Sequence, residues 1–139
     1  MRWTLTLAAL AALIAAAAPA AAAPSHQAKT ASMKFRMVEW DILPVTATKT
    51  TATKVTFVVH NAGRMTHEFV VLRTAKAAGR LAAPNAREAP ETGAVGEIGE
   101  IKPGQTKRLT LTLRKGHYSL ICNLPYHYGR GQFVDFYIR

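Results

Sequence analysis

Gly116-His117-Tyr118-Ser119-Leu120-Ile121-Cys122-Asn123-Leu124-Pro125-Tyr126-His127-Tyr128-Gly129-Arg130-Gly131-Gln132 is the stretch that decides the fold. A short apolar strand pattern, His117 to Cys122, leads into a loop that carries the only cysteine of the chain. His127 follows that cysteine by five positions, and Gln132 follows His127 by another five. One thiolate, imidazoles and a weak neutral ligand suit a trigonal copper site with a long axial bond. The loop offers Cys122, His127 and Gln132, so one more nitrogen must come from elsewhere, and His67 is the expected donor. The alternatives to Gln132 as the weak ligand are Met65 or a metal left three-coordinate.

Strand patterns flank this loop on both sides. Phe133 to Arg139 alternates and closes the chain. Thr106 to Leu113 alternates with Leu109, Leu111 and Leu113 inward, between the turns Pro103-Gly104 and Lys115-Gly116. Lys54 to His60 reads as a strand ended by Asn61-Ala62-Gly63, and His67 opens the next one, His67 to Arg73. Met33 to Trp40 sets Lys34 and Arg36 against Phe35 and Met37, the period of a half-buried strand. Pro44 then places the chain at an edge or a bend. Thr46 to Thr53 reads as extended chain or loop, Val95 to Ile101 as a weaker strand, and Thr74 to Gly93 as a long loop with one short helical turn. These seven or eight short strands with little helix predict an all-β sandwich in one domain.

The N-terminus reads as an export signal over residues 1–23. Arg2 is its positive end, Trp3 to Ala18 its apolar segment, and Pro19 to Ala23 its cleavage region, with the cut expected at 20–23. The apolar segment is short for a membrane span of about 20 residues. No stable membrane insertion is expected after cleavage, an uncleaved anchor being the alternative. Residues 24–32 are expected to be a flexible mature N-terminus and 33–139 the folded domain. Export into an oxidising compartment favours paired structural cysteines. A single one is an inert buried thiol, a reactive thiol or a metal ligand, and the nearby histidine favours the ligand.

Without Arg2, 17 Lys and Arg stand against 8 Asp and Glu, a formal net charge of +9. Scattered bases favour acidic proteins or anionic surfaces as partners. No aromatic-interleaved basic motif points to nucleic acid.

Asn61-Ala62-Gly63-Arg64-Met65-Thr66-His67-Glu68 resembles the segment that delivers the first histidine ligand in the cupredoxins, the small blue-copper proteins. Cys122 to Gly131 resembles their loop for the thiolate and second histidine. The resemblance covers residues 33 to 139. It implies a Greek-key sandwich, one mononuclear type 1 copper ion, and a metal site of His67, Cys122, His127 and Gln132. Where the common loop has methionine this chain has Gln132, as in the stellacyanins, which implies a lower reduction potential.

In cupredoxins the second histidine reaches the surface through an apolar patch where partners dock. Tyr126 and Tyr128 bracket His127 here, either as part of that patch or packed on the sandwich end. Gly129 and Gly131 are expected to let the loop turn tightly. His26, His60 and His117 are read as bystanders, and Met33 and Met37 as packing residues.

The resemblance thus implies a monomeric periplasmic electron carrier whose redox partners present acidic surfaces near His127. The alternative is a copper carrier or sequestration protein using the same site. A Cys-His protease dyad lacks an oxyanion motif, and copper oxidases need more histidines than one short domain offers, so no catalysis is expected.

Overall fold

Phe35, Phe57, Phe69 and Phe136 lie on four different strands, and their rings meet at centroid separations of 5.3 to 6.4 Å. Each is essentially fully buried, worth about 1.5–3 kcal/mol of apolar transfer per side chain. A computed structural model describes residues 28–139 and shows what brings them together.

Among the described residues nine strands form two sheets: β1 (Thr30–Val38), β2 (Asp41–Pro44), β3 (Lys49–Thr50), β4 (Lys54–Asn61), β5 (His67–Arg73), β6 (Ala94–Ile101), β7 (Thr106–Thr112), β8 (Gly116–Ile121) and β9 (Phe133–Ile138). One sheet has the order β2-β1-β4-β7, the other β3-β9-β8-β5-β6. Most pairs are antiparallel, but β1 runs parallel to β4, and β3 parallel to β9. The two inner faces pack as a sandwich, the class that the strand patterns predict.

Alternation places the expected side chains inside. Phe35 and Met37 of β1 are buried while Lys34 and Arg36 face solvent. Leu109 and Leu111 pack against the core and Leu113 is buried within it. Pro44 ends β2, which is an edge strand as a proline requires.

Two readings need correction, and the extended-or-loop reading of Thr46 to Thr53 is narrowed. β1 starts at Thr30, inside the segment expected to be flexible, because Thr30 to Ser32 extend the ladder opposite Lys54 to Thr56. The Thr46 to Thr53 segment contains the short strand β3, paired to the end of β9. The long 74–93 connection has two 3₁₀ turns rather than one, Ala78–Arg80 and Pro84–Ala86. The expected signal peptide, its cleavage site and His26 lie outside the described residues.

Candidate metal centre

Donor side chains converge where the strands of both sheets end. His67 is the first residue of β5, opposite Ile101 of β6. The turn before it is tied down by Asn61, which is fully buried. Its Nδ2 donates to the carbonyls of Met65 and Ile101, both at 2.7 Å, and its Oδ1 accepts the Gly63 N–H at 2.9 Å. Cys122 directly follows β8, and its backbone N–H donates to the Gln132 carbonyl at 3.0 Å, closing the neck of the 122–132 loop. Inside that loop a 3₁₀ turn, Tyr128–Arg130, follows His127. Gly131 takes a φ of 109° there, where a side chain would be strained. Gly129 does not use that freedom; Tyr126, with φ of 69°, makes the other tight turn.

His67 Nδ1 and His127 Nδ1 are 3.3 Å apart, and Cys122 Sγ lies 3.3 Å from His127 Nδ1 and 4.0 Å from His67 Nδ1. All three residues are buried and their donor atoms lie within 4.8 Å of one another. Gln132, also fully buried, reaches the group through its amide, with Nε2 3.0 Å from His67 Nδ1 and 2.8 Å from the Val38 carbonyl. Its Oε1 is buried with no hydrogen-bond partner. Met65 is 44% exposed. The backbone N–H of Glu68 donates to Cys122 Sγ at 3.2 Å, a bond that favours the thiolate.

Without a metal this group carries no charge at neutral pH. Burial pushes the Cys122 thiol up to about 11, against the opposing Glu68 amide. Burial also lowers both imidazoles, opposed at His67 by the Glu39 carboxylate and reinforced at His127 by the neighbouring His67. A soft thiolate precursor, two neutral imidazoles and an unsatisfied amide oxygen in one buried place fit a single type 1 copper ion.

The other described histidines lie elsewhere. His60 Nδ1 pairs with Thr106 Oγ1 at 3.0 Å, and the His117 ring bridges the Thr74 carbonyl and Asp135, both at 2.7 Å. The two tyrosines divide their roles: Tyr128 is buried and Tyr126 is 48% exposed.

Two neighbours of the site escaped sequence reading. The Trp40 and His127 rings pack T-shaped with centroids 5.0 Å apart, and the Arg130 guanidinium lies over the Trp40 ring at 4.4 Å. Glu39 Oε1 accepts the backbone N–H groups of Arg64 at 2.7 Å and Met65 at 2.8 Å and lies 3.4 Å from His67 Nε2. The Met65 amide is the main influence holding the Glu39 carboxyl below its ordinary range. Both residues occupy the β1–β2 turn, and nothing in their spacing along the chain pointed to the site.

Comparison with known proteins agrees with this geometry. Auracyanin from the photosynthetic bacterium Roseiflexus castenholzii superposes with a TM-score of 0.59 at 19% identity, covering 78% of this chain and 96% of that one. Rusticyanin from Thiobacillus ferrooxidans gives a TM-score of 0.57 at 15% identity, covering 80% and 78%. Auracyanin B gives 0.58 at 16% identity, covering 83% and 92%. No curated protein sequence matches. The family pattern described as a cupredoxin-like domain matches residues 6–134. Sandwich, converging donors and sequence pattern agree, and the chain belongs to the cupredoxin family.

Proposed function

We propose that this cupredoxin is an exported, periplasmic carrier of single electrons, whose one copper ion would be held by His67, Cys122, His127 and Gln132. The observation that carries this reading is the meeting of two Nδ1 atoms and one Sγ from three buried side chains at the sandwich end. When bound, copper supplies a centre that alternates between Cu(II) and Cu(I).

The chain's part is to hold the donors still and keep water out. His67 and Cys122 sit at the ends of paired strands, and the 122–132 neck is closed by a backbone bond. Donors fixed in this way rearrange little when charge changes, which keeps electron exchange fast. The Cys122 thiol gives up its proton on metal binding, eased by the Glu68 amide.

His127 is 5% exposed while His67 and Cys122 are at 0%, so its edge is the ligand nearest solvent. Arg64, Arg87 and Arg130 are exposed on the loops of the same end, with Arg87 over the Tyr126 ring at 5.4 Å. That supports redox partners with acidic surfaces docking near His127. No helix among the described residues is long and apolar enough to cross a membrane. The residue 1–23 pattern supports export, and we assign a monomer without catalytic turnover.

Absorption spectroscopy of the copper(II)-loaded protein tests the reading. An intense visible thiolate-to-copper band is expected, and Cys122→Ser abolishes it. No such band would refute the site. Copper that passes readily to an acceptor protein without electron exchange would favour sequestration instead, a behaviour that the burial of the donors opposes.

A further inference from the structure

We propose that Glu39 is a positioning residue for the metal site. It fixes His67 in the tautomer with its proton on Nε2, leaving Nδ1 free to bind. It also sets behind that imidazole a negative charge that favours Cu(II) over Cu(I). The inference rests on the ligand set proposed above.

Gln132 favours the same tautomer through the other ring nitrogen. Its Nε2 donates to the Val38 carbonyl at 2.8 Å and faces His67 Nδ1 at 3.0 Å, so Nδ1 is the acceptor of that contact and carries no proton. A neutral imidazole then carries its hydrogen on Nε2. That atom is buried without a formed hydrogen bond, and the group set before it is Glu39 Oε1 at 3.4 Å. The same oxygen accepts the Arg64 and Met65 amides, so the carboxylate cannot swing away without releasing the turn that delivers His67. Gly63 leaves the room for it: a Cβ there would collide with the Glu39 carboxylate.

A carboxylate behind a ligating imidazole orients the ring and raises its basicity. A fixed negative charge also stabilises the more positive metal state more strongly. The Glu39 side chain is 25% exposed, so water and salt moderate this effect.

Glu39→Gln keeps an oxygen for both amides and removes the charge. Imidazole ¹⁵N NMR of the copper-free wild type should show His67 protonated on Nε2, and the variant a mixture of both tautomers. In the copper-loaded protein, Cu(II) affinity falls by up to about tenfold while Cu(I) affinity holds. For a one-electron couple that is an upward shift in reduction potential of up to about 59 mV. Glu97→Gln, which removes an exposed carboxylate on β6, moves neither readout.

A wild-type His67 protonated on Nδ1 overturns the proposal without recourse to any variant. So does a Glu39→Gln potential equal to that of the wild type. Because the NMR readout needs no metal, the tautomer change without a thiolate band would sink the copper reading while supporting the role of Glu39.

Discussion

Gln132, as the weak ligand proposed above, would set this site apart from a methionine-bearing one. It is fully buried, and its amide is held by the Val38 carbonyl. An amide oxygen is a harder ligand than a thioether and favours the oxidised ion. Gln132→Met therefore raises the reduction potential while keeping the visible band, as voltammetry and absorption together would register. A fall, or no change, would remove Gln132 from the ligand set. Cys122, His127 and Gln132 stood out as candidates in the sequence because one short loop holds all three and an unpaired cysteine is rare, and the fold brings them beside His67. Glu39 did not stand out, since its role is created by a contact across the fold with the amides of Arg64 and Met65. No spacing rule reports such a contact.

Among the elements, the 74–93 connection acquires a role that composition did not suggest. It is fastened beneath the copper loop by two buried residues of that loop. The Tyr128 hydroxyl donates to the Ala78 carbonyl at 2.7 Å and accepts the Leu81 N–H at 2.9 Å. Asn123 exchanges hydrogen bonds with the Ala89 backbone at 2.8 and 3.0 Å and donates to Glu91 at 2.8 Å. Tyr128→Phe leaves the Leu81 amide without its acceptor, at a cost of about 1–3 kcal/mol. Hydrogen exchange at Leu81 should quicken and the melting temperature drop, with the visible band retained. Exchange unchanged at Leu81 would mean the hydroxyl does not hold the loop. Alanine, glycine and proline in this stretch correctly indicated irregular backbone, but its anchors lie in another segment.

Across the whole molecule, stability without metal should depend on acidity in a defined direction. Burial lowers the folded-state pKa of His67 and His127 from the ordinary value of 6.5. Between the folded and unfolded values the unfolded chain binds more protons, so stability rises with pH there. It is fully present above about pH 6.5 and declines as the pH falls through the folded values. Denaturant melts of the copper-free protein from about pH 7.5 down to about pH 5 should show that decline, and a flat profile would contradict it.

The strands themselves were largely readable from alternation, but the pairing was not. A period of two says which face is inward, yet not which strand lies beside which. Hence the parallel β1–β4 and β3–β9 pairs emerged only in the folded chain. The parallel run of β1 has a further consequence. Thr30 pairs with Lys54 and Met37 with Asn61, so the chain enters the fold at the pole opposite the donors. β9 starts beside Ile121 and finishes beside Gly116, so the C-terminus leaves from that same far pole. A fusion partner, surface tether or electrode linker attached at either terminus would hold the molecule by its tail and leave its conducting tip facing outward.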